Sequence, residues 1–178
     1  MPSTSPAIDW SHDVFRVMKD KNIRQVATVP DGGLTSLLKL CEADDDINVV
    51  TLTTEEEGVA FVCGAWLGGQ RATLLMQSSG VGNCINMLSL PNTCRIPCLM
   101  LITMRGEWSE FNPWQIPLGR AVPAVLEEVG ALVYRPAVGS DVGAKYESAA
   151  DLVYAAGTSA AVLVSQRIVG PKTFEKQN

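Results

Sequence analysis

The alternation of two patterns constrains this chain more than anything else in it. Short apolar runs closed by turn residues trade places, from one end to the other, with segments whose apolar residues recur every three or four positions. Residues 8–21 carry Trp10, Val14 and Met18 at four-residue steps, the stripe of an amphipathic helix. Residues 25–29 are apolar and end in Pro30, Asp31, Gly32 and Gly33, which predicts a strand and then a turn. Leu34, Leu37, Leu38 and Cys41 predict a second helix, broken by Asp44, Asp45 and Asp46 before a strand at 48–52. A third helix starts near Thr54 and runs to Gly68 and Gly69. Then come a strand at 72–76, a glycine turn at 78–83, a helix at 83–90 and an apolar strand at 97–103. Residues 105–117, with Pro113, Pro117, Trp108 and Trp114, read as a long loop, and long ordered loops in compact domains are often functional. Helix is predicted at 118–129, strand at 132–135, helix at 142–156 and strand at 160–165; the tail at 174–178 is polar.

That is about six strands, each followed by a helix. Continuous apolar strands belong to a sheet buried on both faces. The expected fold is α/β: an open, doubly wound parallel sheet with helices on both faces. With 178 residues the chain suits one domain, residues 1–178 with a core at about 8–168, and can bury that core without disulfides or metal.

Charge narrows the functions. There are 14 Lys plus Arg against 19 Asp plus Glu, a net charge of −5, so the basic footprint expected of a nucleic-acid or anionic-membrane partner is missing. No apolar run is long enough to span a bilayer, and the first residues show no basic and apolar leader, so a cytoplasmic protein is expected. The cysteines, Cys41, Cys63, Cys84, Cys94 and Cys98, are odd in number and form no CxxC; with His12 the sole histidine, no metal site is expected. They read as reduced, mostly buried thiols.

Ligands of a doubly wound sheet sit beyond the carboxyl ends of its strands. Four turns meet there: Pro30 to Gly33, Thr53 to Gly58, Gln77 to Asn83, and the loop opening at Met104. Thr54 and Glu57 have the spacing of a capping box, and glutamates in a first turn complement the helix dipole. A functional glutamate there needs its carboxyl turned into the cleft. Gly80-Val81-Gly82 opens a helix after a strand, as phosphate loops do, but Ile85 stands at the third glycine position of GxGxxG. Glycines also allow close backbone approach, and what approaches stays open.

The run Thr-Glu-Glu-Glu-Gly, an Ala-Trp pair, Gly-Gly, a strand and then Gln-Ser-Ser-Gly-Val-Gly-Asn resembles the pyrimidine-binding domain of thiamine-diphosphate enzymes. It is most similar to the sulfopyruvate decarboxylase alpha-subunit family and the N-terminal half of phosphonopyruvate decarboxylases. Val29-Pro30-Asp31, Met76-Gln77, Asn83 with Asn86, and Arg105-Gly106 fit the same resemblance, which covers roughly residues 8–168. It implies a glutamate that hydrogen-bonds and activates the cofactor pyrimidine. Aligned on Glu-x-Gly, that residue is Glu56, leaving Glu57 to cap the helix and Glu55 in solvent. It further implies cofactor contacts from Pro30, Gln77, Ser78, Gly80 and Asn83, and substrate contacts from Asp31, Gly32 and Gln115, the last where phosphonopyruvate decarboxylases tend to carry a histidine.

Such enzymes also need a diphosphate- and Mg²⁺-binding domain marked by Gly-Asp-Gly, a motif absent from this sequence. The resemblance therefore implies a beta subunit that carries that domain and holds Mg²⁺, in a hetero-oligomer with paired alpha chains. The implied reaction takes a small anionic 2-oxo acid, 3-sulfopyruvate, to sulfoacetaldehyde and CO2. The substrate's sulfonate needs a cation; Arg105 after the fourth strand and Arg120 near the next helix start are the candidates, unless the partner supplies one. Alternatives are a phosphonopyruvate or other 2-oxo-acid decarboxylase subunit, a non-catalytic cofactor-binding module of the same fold, and an unrelated nucleotide-binding domain.

Overall fold

The structure, a computed structural model, describes residues 9–170. The start of the first predicted helix at residue 8, the N-terminal leader reading up to that residue and the polar tail at 174–178 lie outside the described residues. The elements are α1 (Trp10–Asp20), β1 (Ile23–Thr28), α2 (Thr35–Glu42), β2 (Asn48–Thr51), α3 (Glu55–Leu67), β3 (Arg71–Gln77), α4 (Val81–Cys84), α5 (Ser89–Cys94), β4 (Cys98–Thr103), α6 (Ile116–Glu128), β5 (Leu132–Tyr134), α7 (Val142–Ala156), β6 (Ser159–Val164) and α8 (Gln166–Val169). All six strands run parallel in the order β2-β1-β3-β4-β6-β5. This is the doubly wound sheet expected from the alternating pattern. The direction of winding reverses between β1 and β3, which makes the gap beyond their carboxyl ends the switch-point crevice.

Successive strand side chains point to opposite faces, so each central strand feeds two apolar layers. On one face Val14, Met18, Leu37 and Tyr146 of α1, α2 and α7 pack on Val26, Leu75 and Leu101. On the other, Val59, Val62, Cys84, Val122 and Leu126 of α3, α4 and α6 pack on Leu74, Met76 and Ile102. β3, β4 and β6 are buried along most of their length, while the edge strands β2 and β5 are short and partly exposed. Among the described residues no helix is long and apolar enough to cross a membrane.

One predicted helix divides. Residues 83–90 were expected to be continuous, but α4 ends at Cys84 and α5 begins at Ser89. Pro91 explains the restart: proline has no N–H to give, so it is tolerated in a first helical turn, where it sits here. The long loop is present and ends in a 3-10 turn at Pro113–Gln115. α6 then starts two residues early, with Pro117 in its first turn.

Candidate active site

Three glutamates open α3, and consecutive helical residues point about 100° apart, so at most one can enter the crevice. That residue is Glu55. Its side chain is buried, at 8% exposure, while Glu56 and Glu57 are exposed. Asn83 Nδ2 donates to Glu55 Oε2 at 2.8 Å. Gly80 lies directly against the carboxyl group, and a Cβ built at residue 80 would collide with it. What approaches the glycine turn is therefore this glutamate. The expected division of labour among the three carboxylates is reversed for two of them: Glu56, expected to face inward, lies in solvent, and Glu55, expected in solvent, faces inward.

Glu57 does cap, though not as expected. Its oxygens accept from Thr53 N at 3.0 Å and Thr53 Oγ1 at 2.8 Å, whereas Thr54 makes no side-chain cap. The Thr53 hydroxyl and then its amide hold the Glu57 carboxyl below the usual carboxylate range. Burial, and after it the charges of Glu55 and Glu56, pushes the Cys84 thiol up to about 12. That thiol stays protonated near neutral pH and is no nucleophile.

A second polar group spans the switch point. Asp31, after β1, accepts Gln77 Nε2 from the end of β3 at 2.7 Å, Thr103 Oγ1 from the end of β4 at 2.9 Å, and Gly33 N at 3.1 Å. Ser79 Oγ donates to Gln77 Oε1 at 2.8 Å. Ser78 is buried and accepts the Arg105 amide at 3.0 Å, so it holds the next loop. Pro30, Asp31 and Gly32 border a cavity of about 300 Å³ together with Thr35, Leu38 and Lys39.

The long loop is tied down by Arg105. The residue is 6% exposed, and its guanidinium lies 5.5 Å from the Phe111 ring centroid and forks onto Glu110, with Nε to Oε2 at 2.6 Å and Nη2 to Oε1. Glu107 pairs with Arg135. Gln166 completes the anchor: Nε2 donates to Glu110 at 3.0 Å, and Oε1 accepts the amides of Glu107 and Trp108. Arg120 is exposed on α6 and makes no ion pair with the described residues; Gln115 ends the 3-10 turn, half-buried. Sequence reasoning thus missed Glu55, Ser79, Thr103, Glu110 and Gln166. Ser79, inside the Gln-Ser-Ser-Gly run, and Glu55, inside the Thr-Glu-Glu-Glu-Gly run, carried a local signal; the others did not.

The described residues thus gather Glu55, Gly80 and Asn83 at one place and Asp31, Gln77 and Ser79 at another, both at the carboxyl edge of the sheet. No protein-family model matches the chain. Curated proteins do. The sulfopyruvate decarboxylase subunit alpha of Methanocaldococcus jannaschii is 40% identical over 69% of this chain and 73% of its own length. That of Methanococcus maripaludis is 38% identical over 71% and 76%. The chain belongs to the sulfopyruvate decarboxylase alpha-subunit family.

More distant members of this relationship are larger. The phosphonopyruvate decarboxylase of Streptomyces viridochromogenes is 39% identical over 65% of this chain but only 30% of its own length. Among solved structures, 2-oxoglutarate:ferredoxin oxidoreductase from Magnetococcus marinus superposes with a TM-score of 0.74 at 15% identity, over 95% of this chain and 34% of that one. Benzoylformate decarboxylase from Polynucleobacter necessarius gives 0.71 at 15% identity, over 95% and 32%. These two likenesses establish the fold of the alpha-subunit family member and nothing finer.

Proposed function

We propose that the chain is the pyrimidine-binding subunit of a two-chain thiamine-diphosphate-dependent decarboxylase, and that its substrate is 3-sulfopyruvate. The observation that carries the reading is Glu55: a buried carboxyl at the carboxyl edge of the sheet, steadied by Asn83 and set on Gly80. The fit to an aminopyrimidine rests on that arrangement. Asn83 occupies Oε2, no hydrogen bond within the described residues engages Oε1, and the glycine beneath leaves room for the carboxyl that a side chain would take. Glu55 is then the residue that holds a proton at Oε1 toward a ring nitrogen, a role the exposed Glu56 is not placed to fill.

Bound thiamine diphosphate would supply the electron sink for the bond broken as CO2 leaves. This chain's residues orient its pyrimidine: Glu55 and Asn83 by hydrogen bonding, Gly80 by close approach, with Gln77 and Ser79 facing the substrate side. Pro30 and Gly32 shape the neighbouring cavity. The diphosphate and Mg²⁺ would fall to a beta subunit, in keeping with the relatives' name as alpha subunits. Arg105 holds its loop, its guanidinium being closed on Glu110; Arg120, which makes no ion pair with the described residues, would meet the sulfonate, unless the beta subunit provides the cation.

The test is reconstitution. The chain should be assayed alone and co-assembled with a beta subunit of the same source, with thiamine diphosphate and Mg²⁺, for CO2 release from sulfopyruvate and phosphonopyruvate. The expected outcome is no turnover by the lone chain and cofactor-dependent turnover by the complex, faster with sulfopyruvate. Turnover by the lone chain would overturn the two-chain reading, and a preference for phosphonopyruvate would overturn the substrate.

A further inference from the structure

We propose that Asp31 is a positioning residue, not a substrate contact: it fixes which end of the Gln77 amide faces a 2-oxo acid at the switch point. The proposal rests on the decarboxylase reading above and adds to it the polarity of the substrate's recognition.

An ionised carboxylate can only accept hydrogen bonds. Asp31 already accepts three, from Gln77 Nε2, Thr103 Oγ1 and Gly33 N. It has the same charge as an anionic 2-oxo acid and would repel it. Its influence passes instead through Gln77. The end of that amide facing Asp31 must be the NH2, so Oε1 is turned to Ser79 and takes the only proton the Ser79 hydroxyl has. The consequence is a fixed polarity. Gln77 retains one N–H to donate, and Ser79 offers only lone pairs. The carboxylate and ketone oxygens of a 2-oxo acid are acceptors, so Gln77 can receive them. Ser79 is left to face a donor.

The arrangement can be reversed by one atom. In Asp31→Asn, the donors Thr103 Oγ1 and Gly33 N claim the Asn oxygen, since both bond the same carboxylate oxygen, Oδ2. The Asn NH2 must then face Gln77, whose amide turns to present Oε1 to it. The NH2 of Gln77 swings to Ser79 and donates to its oxygen, which carries the free N–H away from the place it holds in the parent and releases the Ser79 hydroxyl proton. Volume hardly changes.

The experiment compares parent and Asp31→Asn in the assembled enzyme, together with an amide spectrum of the full chain. In ¹⁵N spectra, with Gln77→Glu assigning the resonance, the parent should show one Gln77 amide proton shifted downfield by the carboxylate, and Asp31→Asn should lose that shift. In the complex, Asp31→Asn should raise KM for the 2-oxo acid at least about tenfold, with a smaller change in kcat. It should also abolish the enzyme's preference for the acid over its methyl ester as an inhibitor, while thiamine diphosphate affinity and Tm stay near the parent's. An unshifted amide in the parent overturns the orientation. Equal losses on acid and ester with a lowered Tm overturn the positioning role and leave Asp31 a structural tie. A parent complex that releases no CO2 counts against the decarboxylase reading instead, and the amide spectrum still decides the orientation.

Discussion

At the scale of single residues, the account turns on which of three adjacent glutamates faces inward. Nothing in the local sequence chooses among them, because each is a good first-turn residue. The choice is made by partners some 25 to 28 positions away: Gly80, which leaves space for one carboxyl, and Asn83, which bonds it. Capping was legible as a property of the segment but not of the right threonine, since the Glu57 carboxylate reaches back to Thr53. Gly80→Ala puts this to work as a prediction. The added methyl overlaps the Glu55 carboxyl and must displace it. Overpacking of this kind costs about 1–3 kcal/mol. We expect decarboxylation to fall far more than Tm, measured by kcat and thermal melting of the complex. An active Gly80→Ala enzyme would mean that the close approach has no functional weight.

At the scale of elements, the strands and helices were legible because continuous apolar runs alternate with period-3.6 segments, and burial of the sheet on both faces enforces the pattern. The long loop was legible only as a loop. Its structure comes from tertiary partners, Arg105 with Glu110 and Gln166 with three loop groups, and Gly106 takes a positive φ of 77° where it turns beside Gln115. The Arg105 hydrogen bonds, followed by the Asn112 and Gly106 amides and the Gln166 amide, pull Glu110 from its ordinary 4.5 down to about 2 against its burial. A carboxyl with a depressed folded pKa contributes stability that is complete above its unfolded pKa and is lost as pH falls from about 4.5 toward 2. Glu110→Gln should therefore flatten this part of the acid-unfolding profile. It also takes from the buried Arg105 guanidinium the carboxylate it forks onto, a loss of up to about 3–5 kcal/mol, which is on the order of 10 °C in Tm for a chain of this size. Replacing both partners, Arg105→Met with Glu110→Leu, should cost less. If Glu110→Gln melts and titrates like the parent, the ion pair does not anchor the loop. The loop still displays Trp108, Phe111 and Trp114, the last 84% exposed.

At the scale of the whole molecule, one doubly wound sheet places the glutamate after β2, the glycine turn after β3 and the aspartate after β1 around the same reversal of winding. The fold could be read from the alternating pattern, and the family from the resemblance that the motifs in those turns carry. The orientation of individual side chains could not, because it depends on contacts between turns far apart in sequence. The chain covers about three quarters of the alpha subunits it matches and about a third of the larger relatives. The central claim is that Glu55, not its neighbour, serves the cofactor. The direct measurement is kcat for thiamine-diphosphate-dependent CO2 release by complexes carrying Glu55→Gln or Glu56→Gln, each shown to assemble with the beta subunit. The account predicts that Glu55→Gln loses about 10²–10⁴-fold while Glu56→Gln stays close to the parent. An inactive Glu56→Gln beside an active Glu55→Gln would contradict it.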